Sequence, residues 1–180
     1  METTVCITMK IYFDGCSVTF GAELEDKKTE RYSRLVANHF GAEDYNIATG
    51  GGSNRRMLRN LLSHDLSQYD IVVIQMTKRM RTEFHNGGEW NNVQTSSPHF
   101  FLKNCYSEKY GIIDEMIMYH AIKNILKDKK HYILSIQHDT EVPVDYVTND
   151  PYPRAPRGHP DKEGHKFLAD IVIRGLTTPK

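Results

Sequence analysis

Charge of one sign is the first thing missing. The 180-residue chain carries 23 basic and 23 acidic side chains and is formally neutral, so it has no global field to hold a polyanion or an anionic bilayer. Nucleic acid and membrane partners are therefore not expected without a local patch. Long apolar runs are missing too: the longest aliphatic stretch is Ile71-Val72-Val73-Ile74, far short of the roughly 20 residues of a membrane helix. Cysteine is sparse. Cys6, Cys16 and Cys105 are an odd set without CxxC spacing, which argues against a disulfide framework or a cysteine-rich zinc site. The segment from Met1 to Thr4 opens with an acid and runs into a strand pattern, without the features of a secretory leader. A cytoplasmic, reducing location is expected. His131, His138, His159 and His165 are spread over the last third with no HExxH or knuckle spacing, so no metal and no other cofactor is expected.

What is present suits one globular domain, since 180 residues that are 39% hydrophobic can bury a sizeable core. Residues 5–13 and 70–76 are continuous apolar, β-branched runs of the kind covered on both faces of a parallel sheet. Shorter strands are predicted at 45–48 and 131–136, with a weaker fifth near 142–147. Helical spacing marks 28–40, the segment from Met57 to Leu62, 112–126 and 161–175, with Gly41 as a C-cap and Ser53 as an N-cap. The stretch from about 82 to 111 shows no convincing period and holds the only tryptophan, Trp90; it is predicted to be an irregular insertion. The Pro-rich segment 150–158 is predicted to be a loop. Strands alternating with helices predict a three-layer α/β sandwich, a flavodoxin-like parallel sheet of four or five strands with helices on both faces. No internal repeat or second domain is visible.

In such sheets ligands bind beyond the carboxyl ends of the strands. The loops at that edge hold Gly15-Cys16-Ser17, Gly50-Gly51-Gly52-Ser53-Asn54, Gln75-Met76-Thr77-Lys78-Arg79 and, late in the chain, His159-Pro160. A serine on a glycine-flanked turn, glycine amides in a neighbouring loop and a late histidine are the ingredients of acyl transfer. Gly50-Gly51-Gly52 could instead cradle a phosphate, although no GxGxxG or Walker pattern surrounds it. Arg55, Arg56 and Arg59, with Lys78, Arg79 and Arg81, read either as a solvated face or as determinants for an anionic substrate.

The ordered blocks resemble the SGNH or GDSL hydrolases. Gly15-Cys16-Ser17-Val18-Thr19-Phe20-Gly21 is similar to their Gly-Asp-Ser block, Asn46 with Gly51 to the second, and His159-Pro160 with Gly164-His165 to the last. The resemblance implies a serine esterase or acyl hydrolase that cleaves an ester through an acyl-enzyme on Ser17, with His159 as general acid and base. It also implies an oxyanion hole built from Ser17, Gly51, Thr77 and Asn54. A small-molecule or carbohydrate ester is the implied substrate, an O-acetyl group on a sugar among them. Three departures stand out: Cys16 replaces the block-one Asp, no Asn follows the third strand, and Pro156 occupies the place of the Asp that orients the histidine. Any triad then needs another carboxylate, Asp150 being the nearest upstream acid, or the site works as a Ser-His dyad. An O-acyltransferase using the same residues, and a catalytically impaired binding module, are the alternatives. His165 is expected to pack at the start of the last helix, and the sequence is silent on oligomeric state.

Overall fold

The structure is a computed structural model that describes residues 9–93, 100–148 and 152–178. Its centre is a five-stranded, wholly parallel sheet of β1 (Lys10–Asp14), β2 (Glu43–Asn46), β3 (Ile71–Met76), β6 (Lys130–Ser135) and β7 (Tyr146–Val147). Their order across the sheet is β2-β1-β3-β6-β7. The order reverses at β1, so the crevice opens above the carboxyl ends of β1 and β3.

Side chains on a strand alternate between faces, and both faces here are covered. Ile11, Phe13, Ile71, Val73 and Leu134 point into one core, which α3 (Tyr32–His39) and α7 (Lys162–Thr177) close with Val36, Ala37, Leu168 and Val172. Tyr12, Val72, Ile74 and Ile133 point into the other, closed by α4 (Asn54–Ser63) and α6 (Glu108–Ile125) with Met57, Leu61, Tyr119 and Ile122. This double covering is why β3 reads as an unbroken apolar run, and each fully buried aliphatic side chain adds about 1.5–3 kcal/mol. Ser53 caps α4 by accepting a hydrogen bond from the Arg56 amide.

Three elements differ from the sequence reading. The helix predicted over 28–40 is two, α2 (Lys27–Glu30) and α3, because Arg31 between them is extended (φ −66°, ψ 145°). That conformation lets its guanidinium place two hydrogen bonds, 3.0 and 2.8 Å, on Asp44 Oδ2. The stretch expected to be irregular holds an antiparallel hairpin, β4 (Thr82–His85) with β5 (Trp90–Val93), followed by α5 (Phe100–Asn104) and the first turn of α6. The hairpin hides its period because a charged side chain faces inward: Glu83 is buried and bonds Arg59 at 2.8 and 2.9 Å. β2 ends at Asn46, whose side chain leaves the strand to bond the Thr19 carbonyl and Ser33 Oγ. Part of the first predicted strand, residues 5–8, lies outside the described residues. Among the described residues no helix is long and apolar enough to cross a membrane.

Candidate active site

β1 ends on Asp14, which is wholly buried. Burial raises its pKa, while Arg56, Asn60 and the Gly15 amide oppose that shift. Arg56 Nη1 lies 2.7 Å from Asp14 Oδ1 and Asn60 Nδ2 lies 2.8 Å from Oδ2. Arg56 also donates to the Ile47 carbonyl, so one guanidinium ties β1, the loop after β2 and α4 together.

The chain then turns through Gly15 and Cys16 into the four-residue helix α1 (Ser17–Phe20), closed by Gly21 in the left-handed region (φ 83°). Cys16 points into the core, its Sγ 3.3 Å from Gln75 Oε1, and Thr19 Oγ1 meets the same oxygen at 3.0 Å. Ser17 is left half-buried at the surface of this turn, with Oγ 3.9 Å from Cys16 Sγ. Amides in the first turn of so short a helix have no acceptor within it.

Gly51 and Gly52 sit beside this turn. A Cβ on Gly52 would lie 2.7 Å from the Gly15 carbonyl oxygen and 3.6 Å from Cys16 Cα, so only glycine lets the two loops touch. Gly51 has φ 72°. Asn54 and Thr77, expected as further oxyanion donors, bond each other. The Thr77 amide donates to Asn54 Oδ1 at 2.8 Å and Asn54 Nδ2 donates to the Thr77 carbonyl at 3.2 Å. Thr77 is fully buried, and its Oγ1 accepts from Arg81 Nη1 at 2.8 Å. The pair braces the loop after β3 against α4.

His159 lies in the late loop, where a tight turn returns the chain on itself: the Ala155 amide bonds the His159 carbonyl at 2.8 Å and the Gly158 amide bonds the Ala155 carbonyl at 2.8 Å. Its imidazole meets a carboxylate the sequence did not reveal. Glu23 Oε2 lies 2.6 Å from His159 Nδ1 and accepts the His159 amide at 3.3 Å, while Oε1 accepts the Arg157 amide at 2.9 Å. Burial alone would raise the Glu23 pKa, but the hydrogen bonds from His159 and the Arg157 amide outweigh it and hold the carboxyl below its ordinary value. An ionised carboxylate only accepts, so Nδ1 carries a proton, and in the neutral ring that makes Nε2 the acceptor. Glu23 has φ 69°, and among the described residues it alone holds a positive φ without being glycine. Backbone strain of this kind gathers at functional positions. Asp150, the expected orienting acid, lies outside the described residues.

Ser17 and His159 open on one cleft of about 270 Å³, whose walls also carry Lys78, Arg81, Arg154 and Arg157. No hydrogen bond joins the two among the described residues; free enzymes often tighten that contact only with substrate bound. His165 is removed from the chemistry. It is buried under Tyr32, its Nδ1 accepts the Tyr32 amide at 3.1 Å, and burial lowers its pKa to about 4.

The two basic clusters divide. Arg55, Arg56 and Arg59 are committed to Asp114, Asp14 and Glu83. Arg79 is buried against Glu108, Glu115 and Asp139. Only Lys78 and Arg81 of the six reach the cleft.

No protein-family model and no curated protein matches the sequence. Solved structures do. A carbohydrate esterase described as having divergent catalytic and non-catalytic binding functions at its active site aligns with a TM-score of 0.61 at 15% identity, over 96% of this chain and 69% of its own. A two-domain esterase active on acetylated mannans, crystallised with mannopentaose, aligns at 0.57 and 13% identity, over 94% of this chain and 49% of its own. A member of the lipolytic G-D-S-L family from Veillonella parvula aligns at 0.53 and 12% identity, over 93% of this chain and 97% of its own. At these identities the likeness is one of fold, and with its parallel sheet covered by helices on both faces the chain has the SGNH/GDSL hydrolase fold.

Proposed function

We propose that the protein is a serine esterase that cleaves an acyl ester, in the manner of an O-acetyl group on a carbohydrate, through an acyl-enzyme on Ser17. One observation carries the reading: His159, on the same cleft as Ser17, is fixed by a 2.6 Å bond from Nδ1 to Glu23. Nε2 is thereby the base. Ser17 Oγ attacks the ester carbonyl carbon as its proton passes to Nε2, and the carbonyl oxygen becomes an oxyanion. The amides of Ser17 and Gly51 are the donors for that charge, with the Asn54–Thr77 pair holding the neighbouring loop still. Collapse breaks the ester C–O bond, and the alcohol leaves with the proton from His159. Water then attacks the acyl-enzyme by the same path in reverse. Glu23 stabilises the imidazolium formed in each half and keeps the ring in one tautomer.

The chain spans nearly all of the G-D-S-L structure but about half of the two-domain mannan esterase. Labelling with a fluorophosphonate, peptide mapping and p-nitrophenyl acetate hydrolysis test it. Wild-type protein is expected to be labelled on Ser17 and to turn over. Ser17→Ala and His159→Ala are expected to do neither. An intact fold with no label on Ser17 would move the protein to the binding modules.

A further inference from the structure

We infer that the cleft recognises an anionic carrier: an ester borne on a sugar with a carboxylate or sulfate group near the scissile bond. The ester in this inference rests on the esterase reading, whereas the anion site stands on the charge and fixation of the cleft's own side chains. Among the described residues, Lys78, Arg81, Arg154 and Arg157 line the cleft and no Asp or Glu does, in a chain whose formal charge is zero.

How the arginines are partnered separates this wall from the rest of the surface. Arg31, Arg34, Arg55, Arg56, Arg59 and Arg79 each pair with a carboxylate at 3.5 Å or less. In the cleft, Arg157 alone has such a partner, Glu23, at 3.5 Å, and its side chain remains 84% exposed. Among the described residues no carboxylate pairs with Lys78, Arg81 or Arg154.

Two of these cations are nevertheless held in place. Arg81 Nη1 bonds the buried Thr77 hydroxyl, and its Nε is buried without a partner. The Arg154 guanidinium lies over the Tyr152 ring, 4.5 Å from its centroid, and gives one hydrogen bond of 3.0 Å to the Gly158 carbonyl. A guanidinium fixed by neutral partners keeps its full charge and its remaining N–H groups for a ligand. Carboxylate and sulfate oxygens fit that fork, and several cations in a walled cleft concentrate an anion there. Among the described residues the wall lacks the aromatic platforms that hold successive nucleobases, and Tyr152 is already covered by Arg154.

The test separates binding from turnover. Ser17→Ala protein is titrated calorimetrically with trigalacturonate, with sulfated maltotriose and with maltotriose. At least one of the two anionic sugars is expected to bind about tenfold or more tightly than maltotriose at 50 mM NaCl, since one charge-assisted contact contributes about that much. Which one does so identifies carboxylate or sulfate. The gap is expected to close toward 500 mM NaCl. Lys78→Met, Arg81→Met and Arg154→Met are each expected to narrow it several-fold, and Lys78, an exposed side chain, guards against a folding artefact. Arg174→Met, on α7 outside the cleft, is expected to leave it unchanged.

Equal binding of the charged and neutral sugars overturns the inference. So does a gap that survives all three cleft variants, or tighter binding of a short oligodeoxynucleotide. Fluorophosphonate labelling of the wild type is scored separately: label without anion preference leaves the esterase and removes the anion site, whereas anion preference without label does the opposite.

Discussion

Glu23→Gln is the most informative single change. The substitution keeps side-chain length and replaces one acceptor oxygen with an NH2 group. The carboxylate now accepts three hydrogen bonds, from His159 Nδ1 at 2.6 Å, the His159 amide at 3.3 Å and the Arg157 amide at 2.9 Å. An amide can satisfy one side only. If its NH2 faces the imidazole, Nδ1 must become the acceptor and Nε2 takes the proton, which removes the base from Ser17. In serine proteases the corresponding Asp→Asn change lowers kcat by about 10⁴-fold for this reason. A loss of about 10²–10⁴-fold in kcat is expected here, with KM changing little, because Glu23 touches histidine and not substrate. Steady-state hydrolysis of p-nitrophenyl acetate, with far-UV circular dichroism as the folding control, reads this out. Glu23→Asp is expected to recover part of the rate, which a purely structural role would not require. A folded Glu23→Gln protein with kcat within about threefold of wild type would refute the assignment. Asp150→Asn, measured alongside, is expected to stay near wild type; a collapse of its rate would return the orienting role to the acid nearest in sequence.

Three further outcomes follow from the packing. His165 is held neutral by burial, with a pKa near 4 in the folded chain against 6.5 unfolded. Between those values the unfolded chain binds the extra proton, so stability falls as pH drops from 6.5 to 4, by up to roughly 3 kcal/mol; urea titrations of His165→Gln are expected to show a shallower fall, and parallel curves would refute this. Arg56→Met strands the buried Asp14 carboxylate and is expected to destabilise the protein by about 3–5 kcal/mol, with Asp14→Asn in the same chain restoring part of it in chemical denaturation. Gly52→Ala places a methyl group 2.7 Å from the Gly15 carbonyl oxygen. A loss of about 1–3 kcal/mol is expected, with a fall in esterase rate beyond what the unfolded fraction explains.

The sheet and its two helical layers were legible because burial on both faces writes itself as apolar runs, as at Ile71–Met76, and as 3.6-residue spacing, as at Phe167, Leu168, Ile171 and Val172. Where a charged group fixes the conformation the pattern failed. Arg31 breaks a helix to reach Asp44, and the hairpin buries Glu83 against Arg59. At the site, Ser17 and His159, singled out by local motifs, both line one cleft. Glu23 escaped because its partner is 136 residues away and nothing around Leu24 marks the acid as special. Asn54 looked like a donor by its type and its place after a glycine turn. Its commitment to the Thr77 backbone depends on how two loops from different strands meet, which no local spacing encodes. The same holds for the arginine clusters, whose counter-ions lie on other elements.

The distribution of the three groups along the chain has a mechanical consequence. In the family pattern that the sequence resembles, acid and histidine travel on one loop and the serine on another, so relative drift of the loops opens the gap between nucleophile and base. Here serine and acid share the segment from Ser17 to Glu23, and the histidine loop is latched onto that segment through Glu23. A displacement of the first loop drags His159 along with Ser17. Registration between the two loops then passes through the hydrogen bonds that Glu23 accepts from Arg157 and His159.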